Sequence, residues 1–166
     1  PYADVSQTWP SNFQGKVVEV VKQARNIRVR IRTEEPLQLG DKLSGRHGNK
    51  NIVVRVMPDH DMPKDKDGNH IEVATSPSGV PSRINPSQLM EMAAAKIAKK
   101  TGKPYLVDNF GKDDDHSENL RTEMKRLGVD DTEELFDPKT GKSLGKVTVG
   151  PLYTMKLKHQ MEHGKL

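Results

Sequence analysis

At 166 residues the chain is sized for one domain with room for an embedded subdomain, and a composition of 33% apolar and 30% charged residues leaves material for only a thin core, as in a piece of a larger assembly. A net charge of +4 favours polyanionic partners, and the absence of cysteine excludes disulfide frameworks, thiolate zinc sites and cysteine nucleophiles. No apolar run approaches the roughly 20 residues of a membrane span, so a soluble, cytoplasmic protein without membrane contact is expected.

Residues 1–15 contain Pro1 and Pro10 without periodicity and read as an irregular arm. Two β-branched runs follow, Lys16 to Val21 and Ile27 to Arg32. The second alternates apolar and basic residues, which puts Ile27, Val29 and Ile31 on one face and turns Arg28, Arg30 and Arg32 to solvent or a partner. Further strands are expected at Asn51 to Met57 and at Ile71 to Ala74, separated by the proline- and charge-rich stretch from Pro58 to Lys66 and by an Asp67-Gly68 turn signal. Asp61 in that stretch reads as a turn residue.

Asn85-Pro86-Ser87-Gln88 predicts a helix start, with Asn85 as cap, Pro86 in the first turn and Gln88 completing a capping box. Leu89, Met92, Ala93 and Ile97 then form one apolar face until Gly102-Lys103-Pro104 stops the helix. A second helix begins between Asp115 and Glu118 and carries Leu120, Met124 and Leu127 up to Gly128. Both stripes read as packing faces. After a turn at Asp137 to Gly141, strand character returns at Lys146 to Val149 and Leu152 to Met155. The fold class is mainly β with inserted helices, α+β.

One segment does not fit a packing role. Gly40 to Lys50 sets Lys42, Arg46, His47 and Lys50 among three glycines, with Leu43 as its one large apolar residue. Glycine loses the most backbone entropy on ordering and contributes nothing to a core. The segment therefore reads as a loop that brings backbone and positive charge to phosphate oxygens, and Asp41 is a candidate partner for Arg46 or His47.

The same segment resembles the Gly-Asp-Lys, Gly-Arg-His-Gly-Asn-Lys signature of the beta subunit of multisubunit, bacterial-type DNA-directed RNA polymerase. Asp61-Met62-Pro63, then Gly79-Val80-Pro81-Ser82-Arg83-Ile84-Asn85, then Val147-Thr148-Val149-Gly150 running into Lys156-Leu157-Lys158-His159, follow in that family's order. Four ordered motifs from Gly40 to His159 arise by chance far less readily than one.

The resemblance implies a double-psi β-barrel-like core from residues 16–84 and 145–160, a helical and irregular insertion at 85–144 and a tail at 161–166. It implies that Lys42 and Lys50 lie against the RNA 3′ end and the incoming or initiating nucleotide, that Arg83 contacts the triphosphate, and that His159 lies near the initiating nucleotide. Arg46 and His47 brace the loop. Lys42, Lys50 and Arg83 are the catalytic candidates. Nucleotidyl transfer needs phosphate charge held and balanced while the reacting oxygens stay in line, and at about 4 Å a charge pair is worth about 4 kcal/mol at an effective dielectric near 20, before desolvation.

The metal-binding Asp triad of this family belongs to the other large subunit, and no such segment occurs in this chain. Mg2+ is thus expected on a partner subunit, and the chain alone is expected to be inactive. The implied partners are the beta-prime subunit, the remaining beta segments, the alpha subunits, template DNA, transcript and NTPs, in bacterial or phage-infected cytoplasm.

Departures from the family pattern point to a divergent, phage-like or truncated copy. Asn51 replaces a glycine, Ser76 and Ser78 replace Asn and Leu, Ile84 replaces Met, and Glu162-His163-Gly164 occupies the place of an acidic pair and a lysine.

Rival patterns are weaker. His159 to His163 fits H-x-x-E-H, a zinc-peptidase pattern, but a third ligand and the rest of an active-site domain would be needed. Gly40 to Gly45 has P-loop glycine spacing with Arg46 and His47 where Lys and Ser or Thr are required. The alternative from another class is a non-catalytic basic β module that binds nucleic acid.

Overall fold

A computed structural model of the chain describes residues 3–108 and 115–157. They divide into two units, Pro1–Leu37 and Gln38–Leu166. In the first unit, β1 (Gly15–Lys22) pairs antiparallel with β2 (Ile27–Thr33), from Gly15 opposite Thr33 to Lys22 opposite Ile27. The register shifts between Val17 and Glu19, so Val18 is a bulge residue. Both strands fall where β-branched residues cluster in the sequence. Val17, Val20, Val29 and Ile31 share one face as the alternation requires, and Arg28, Arg30 and Arg32 share the other. Trp9 and Ile31 pack over Gly15, where a Cβ would stand 2.6 Å from Ile31 Cγ2.

The second unit holds the remaining elements. β3 (Lys42–Ser44) lies between β4 (Lys50–Ile52) and a late strand, Met155–Lys156, in an antiparallel sheet of three. Gly40 to Lys50 is thus a short hairpin with a buried Leu43 and not a bare loop. Glycine is confined to its entry and its turn, which leaves the strand positions free to pair.

The strand expected from Asn51 to Met57 ends at Ile52, and none forms from Ile71 to Ala74. Val53 still exchanges backbone bonds with Gly40 and Asp41 at 2.8 and 2.9 Å, but Val54, Val56 and Val73 are exposed. Branched side chains favour a strand only where a neighbour supplies a ladder and a face to pack on, and here neither is present among the described residues.

A one-turn helix, α1 (Gly79–Ser82), precedes α2 (Ser87–Thr101) and α3 (His116–Leu127). Asp115 Oδ1 accepts from the Ser117 and Glu118 amides at 3.0 and 3.2 Å, which satisfies orphan donors at the start of α3. Gly102 and Gly128 end the two long helices in the left-handed region. Ala93, Ile97 and Leu120 form the buried core between them, with Met90, Tyr105, Met124 and Leu127 around it. Leu89, expected on this face, is 40% exposed, and Met90 faces the core instead.

Pro86 occupies the N-cap position of α2 without a side-chain cap, so the expected capping box is absent. Asn85 has a tertiary partner that draws its side chain away. β5 (Thr132–Phe136), which the sequence pattern did not reveal, pairs antiparallel with β6 (Ser143–Thr148), and Met155–Lys156 is β7. The architecture is α+β, with helices as prominent as strands instead of the mainly β body expected. Its sheets of two, three and two strands stay separate, with no closed barrel among the described residues.

Candidate functional site

The hairpin of β3 and β4 sorts its side chains by face. Lys42 lies opposite Ile52 and Ser44 opposite Lys50, so in a period-two ladder Lys42, Ser44, Lys50 and Ile52 share one face. Lys42 and Lys50 are diagonal neighbours, a relation that in an antiparallel ladder corresponds to a separation of about 7–8 Å. Neither forms an ion pair among the described residues, and the same holds for Arg83.

The opposite face is neutralised. Asp41 and Leu43 point that way with Lys156, which pairs with Leu43 across β3 and β7. Asp41 is buried and its Oδ2 accepts from the Gln38 amide at 2.8 Å and from Lys156 Nζ at 2.9 Å. Burial alone would raise the Asp41 pKa; the Gln38 amide and Lys156 together outweigh it and hold the carboxyl below its ordinary value. Asp41 therefore does not pair with Arg46 or His47 as expected.

The turn from Gly45 to Asn49 has its own anchors. Gly45 N–H donates to the Asn49 carbonyl at 3.0 Å. A Cβ at Gly45 would lie 2.3 Å from Asn49 Oδ1, so only glycine admits the buried Asn49 side chain, and Gly48 has φ +78°. Arg46 and His47 both reach Glu91 on α2. Arg46 donates through Nε at 3.1 Å and through Nη2, and His47 Nε2 lies 2.7 Å from Oε2. The Tyr153 amide donates to the same carboxylate at 3.1 Å, and the Arg46 guanidinium sits 5.2 Å from the centre of the Tyr153 ring. Burial pushes the Glu91 pKa up, but Arg46, the Tyr153 amide and His47 outweigh burial and bring it below the ordinary glutamate value.

Asn85 Nδ2 donates to the His47 carbonyl, which joins the third motif segment to the hairpin tip. Arg83, two residues earlier, is exposed at the end of α1. It is followed by Ile84, a β-branched residue at φ +48° with 88% exposure. The fourth segment is tied to the same helix: a Cβ at Gly150 would stand 2.8 Å from Met92 Cβ and 2.9 Å from the Met92 carbonyl oxygen. Asp61 does more than turn the chain, since its Oδ1 accepts from Lys139 Nζ at 2.9 Å. His159 and the H-x-x-E-H stretch lie outside the described residues.

Helix α2 is thus the post to which the first and fourth motif segments attach, and the third leads directly into it. Sequence reasoning missed Glu91, although it is the one acidic residue in a helix otherwise apolar, polar or basic. It missed the tertiary role of Asn85 because a cap signal explained that residue locally.

Residues 2–164 match the family described as RNA polymerase Rpb2, domain 6. The chain is 30% identical over 176 residues to the DNA-directed RNA polymerase subunit beta of Mycoplasmopsis synoviae (strain 53), a match covering 97% of this chain and 14% of that protein. It is 33% identical to the subunit of the same name from Leptospira biflexa serovar Patoc, over 96% of this chain and 14% of that one. Against that of Oenococcus oeni it is 38% identical, over 82% of this chain and 11% of the relative. The chain therefore spans only 11–14% of the length of these relatives.

Proposed function

The chain belongs to the RNA polymerase Rpb2 domain 6 family, and on that premise we propose that, as a segment of a DNA-directed RNA polymerase beta subunit, it uses Lys42, Lys50 and Arg83 to hold the phosphates of the RNA 3′ end and the incoming NTP. The observation that carries this reading is the distribution of charge partners. Arg46 and Lys156 are each matched to a carboxylate, whereas Lys42 and Lys50 share one hairpin face with none among the described residues.

In the transfer, the RNA 3′ oxygen forms a bond to the α-phosphorus as the bond to the pyrophosphate leaving group breaks, and negative charge moves onto that leaving group. Fixed cations stabilise it without reorganising. Lys42 and Lys50 serve as point charges, and the planar fork of Arg83 suits two phosphate oxygens at once. His159 would hydrogen-bond the initiating nucleotide.

The described carboxylates do not fit a metal site. Asp41 and Glu91, beside the motif, are committed to cations, and no cluster of three His, Asp or Glu suited to a metal lies among the described residues. In this proposal Mg2+ belongs to the beta-prime subunit. The hairpin would join a double-psi barrel completed by other segments of the subunit, with the alpha subunits, template DNA and transcript as further partners. The setting is the cytoplasm of a bacterial or phage-infected cell, and no helix among the described residues is long and apolar enough to cross a membrane.

The test is alanine substitution of Lys42, Lys50 and Arg83, singly, in the assembled polymerase. Nucleotide addition should slow by roughly tenfold or more with subunit assembly intact, the scale of losing a positioned cation. Unchanged addition rates in correctly assembled enzyme refute the assignment.

A further inference from the structure

The side chain of Glu91 is 8% exposed, and its partners come from outside its own helix. Arg46 and His47 reach it from the hairpin turn, and the Tyr153 amide reaches it from the chain leading into β7. Burying a carboxylate is unfavourable unless pairing and hydrogen bonds compensate. Helix α2 does not need Glu91 for its own placement: Ala93 and Ile97 pack it against α3, and Lys96 and Lys100 donate to the Asp130 and Leu127 carbonyls. The hairpin turn has fewer anchors. It carries no large apolar side chain, and Glu91 and Asn85 are its tethers to the helical part.

The two lysines depend on that turn unequally. Lys42 sits on β3, the central strand, bonded on one side to β4 and on the other to β7. Lys50 opens the edge strand β4, directly after Asn49 of the turn. A turn free to swing would displace Lys50 and leave Lys42 in register.

We propose that Glu91 is a positioning residue for nucleotide addition, clamping Arg46 and His47 so that the turn holds Lys50 in its working direction. The inference rests on the reading of Lys50 given above.

The test is a double-mutant cycle in the assembled polymerase, with Glu91→Gln, Lys50→Ala and their combination, read as single-nucleotide addition rates. Glu91→Gln keeps the shape and removes the charge. It should slow addition by about tenfold, within the range for displacing a group near the chemistry. In the Lys50→Ala background the same change should cost less than about twofold, because the residue through which Glu91 acts is gone.

Arg46→Ala opens the clamp from its exposed side and should reproduce both results should Glu91→Gln fail to assemble. An equal fold loss in both backgrounds would make Glu91 a structural residue only and overturn the proposal, as would normal rates in both Glu91→Gln and Arg46→Ala. A normal rate for Lys50→Ala alone refutes instead the underlying reading of Lys50, and this inference with it.

Discussion

Asp41 and Lys156 meet at 2.9 Å on the face of the small sheet opposite Lys42 and Lys50, so the pair that joins β3 to β7 leaves the two motif lysines outside its charge balance. Asp41 is nearly inaccessible, and it also holds the Gln38 amide. Substituting Asp41 by alanine strands that amide and Lys156 together. The expected loss is roughly 1–3 kcal/mol, the cost of leaving buried polar groups without partners, read as a lower unfolding midpoint.

Asp41 and Glu91 contribute an acid dependence. The folded-state pKa of Asp41 lies below the unfolded value of 3.8, and that of Glu91 below 4.5, burial being outweighed in each by hydrogen bonds and cations. A depressed carboxyl contributes stability that is complete above its unfolded pKa and disappears as pH falls through the lower folded one. Denaturant midpoints measured downward from neutral pH should therefore hold steady until about pH 4–5 and then decline. In Asp41→Asn the decline should be shallower; an identical acid limb would show that Asp41 is not a contributor.

Two glycines make a contrast. At Gly150 a Cβ has no room against the Met92 backbone, whereas at Gly79 nothing lies within 4 Å and the φ is ordinary. Gly150→Ala is expected to cost about 1–3 kcal/mol through forced backbone shifts, and Gly79→Ala to be neutral or stabilising by less than about 1 kcal/mol. Thermal melts of both variants check this.

Ile97 and Leu89 make another. Ile97 is 3% exposed in the core between α2 and α3, and Leu89 is 40% exposed in the first turn of α2. Ile97→Ala should cost about 2–5 kcal/mol by emptying a packed site, and Leu89→Ala about 0.5 kcal/mol or less on its own. Equal losses would mean that the segment's apolar stripe, and not this core, sets its stability.

Much of this was legible beforehand because it is local. Asp115 and Gly128 bracket α3 by chemistry that acts within one helical turn, and the β1 and β2 runs carry their alternation in consecutive residues. Asn85 shows where local signals mislead: it satisfies the rule for a cap, yet its amide bonds His47, 38 residues away. Val54 and Val73 show the converse, since their branching favours a strand that no neighbour among the described residues completes.

The sequence by itself determined the family, the order of the motif segments and which cations deserved attention, because those are carried by residue identity and spacing along the chain. Only the tertiary structure decided that Glu91 gathers Arg46, His47 and Tyr153, that Asp41 answers Lys156, and that Lys42 and Lys50 share a face. A charge is cancelled or left open by what stands within a few ångströms of it, and that distance is set by the fold and not by position in the chain.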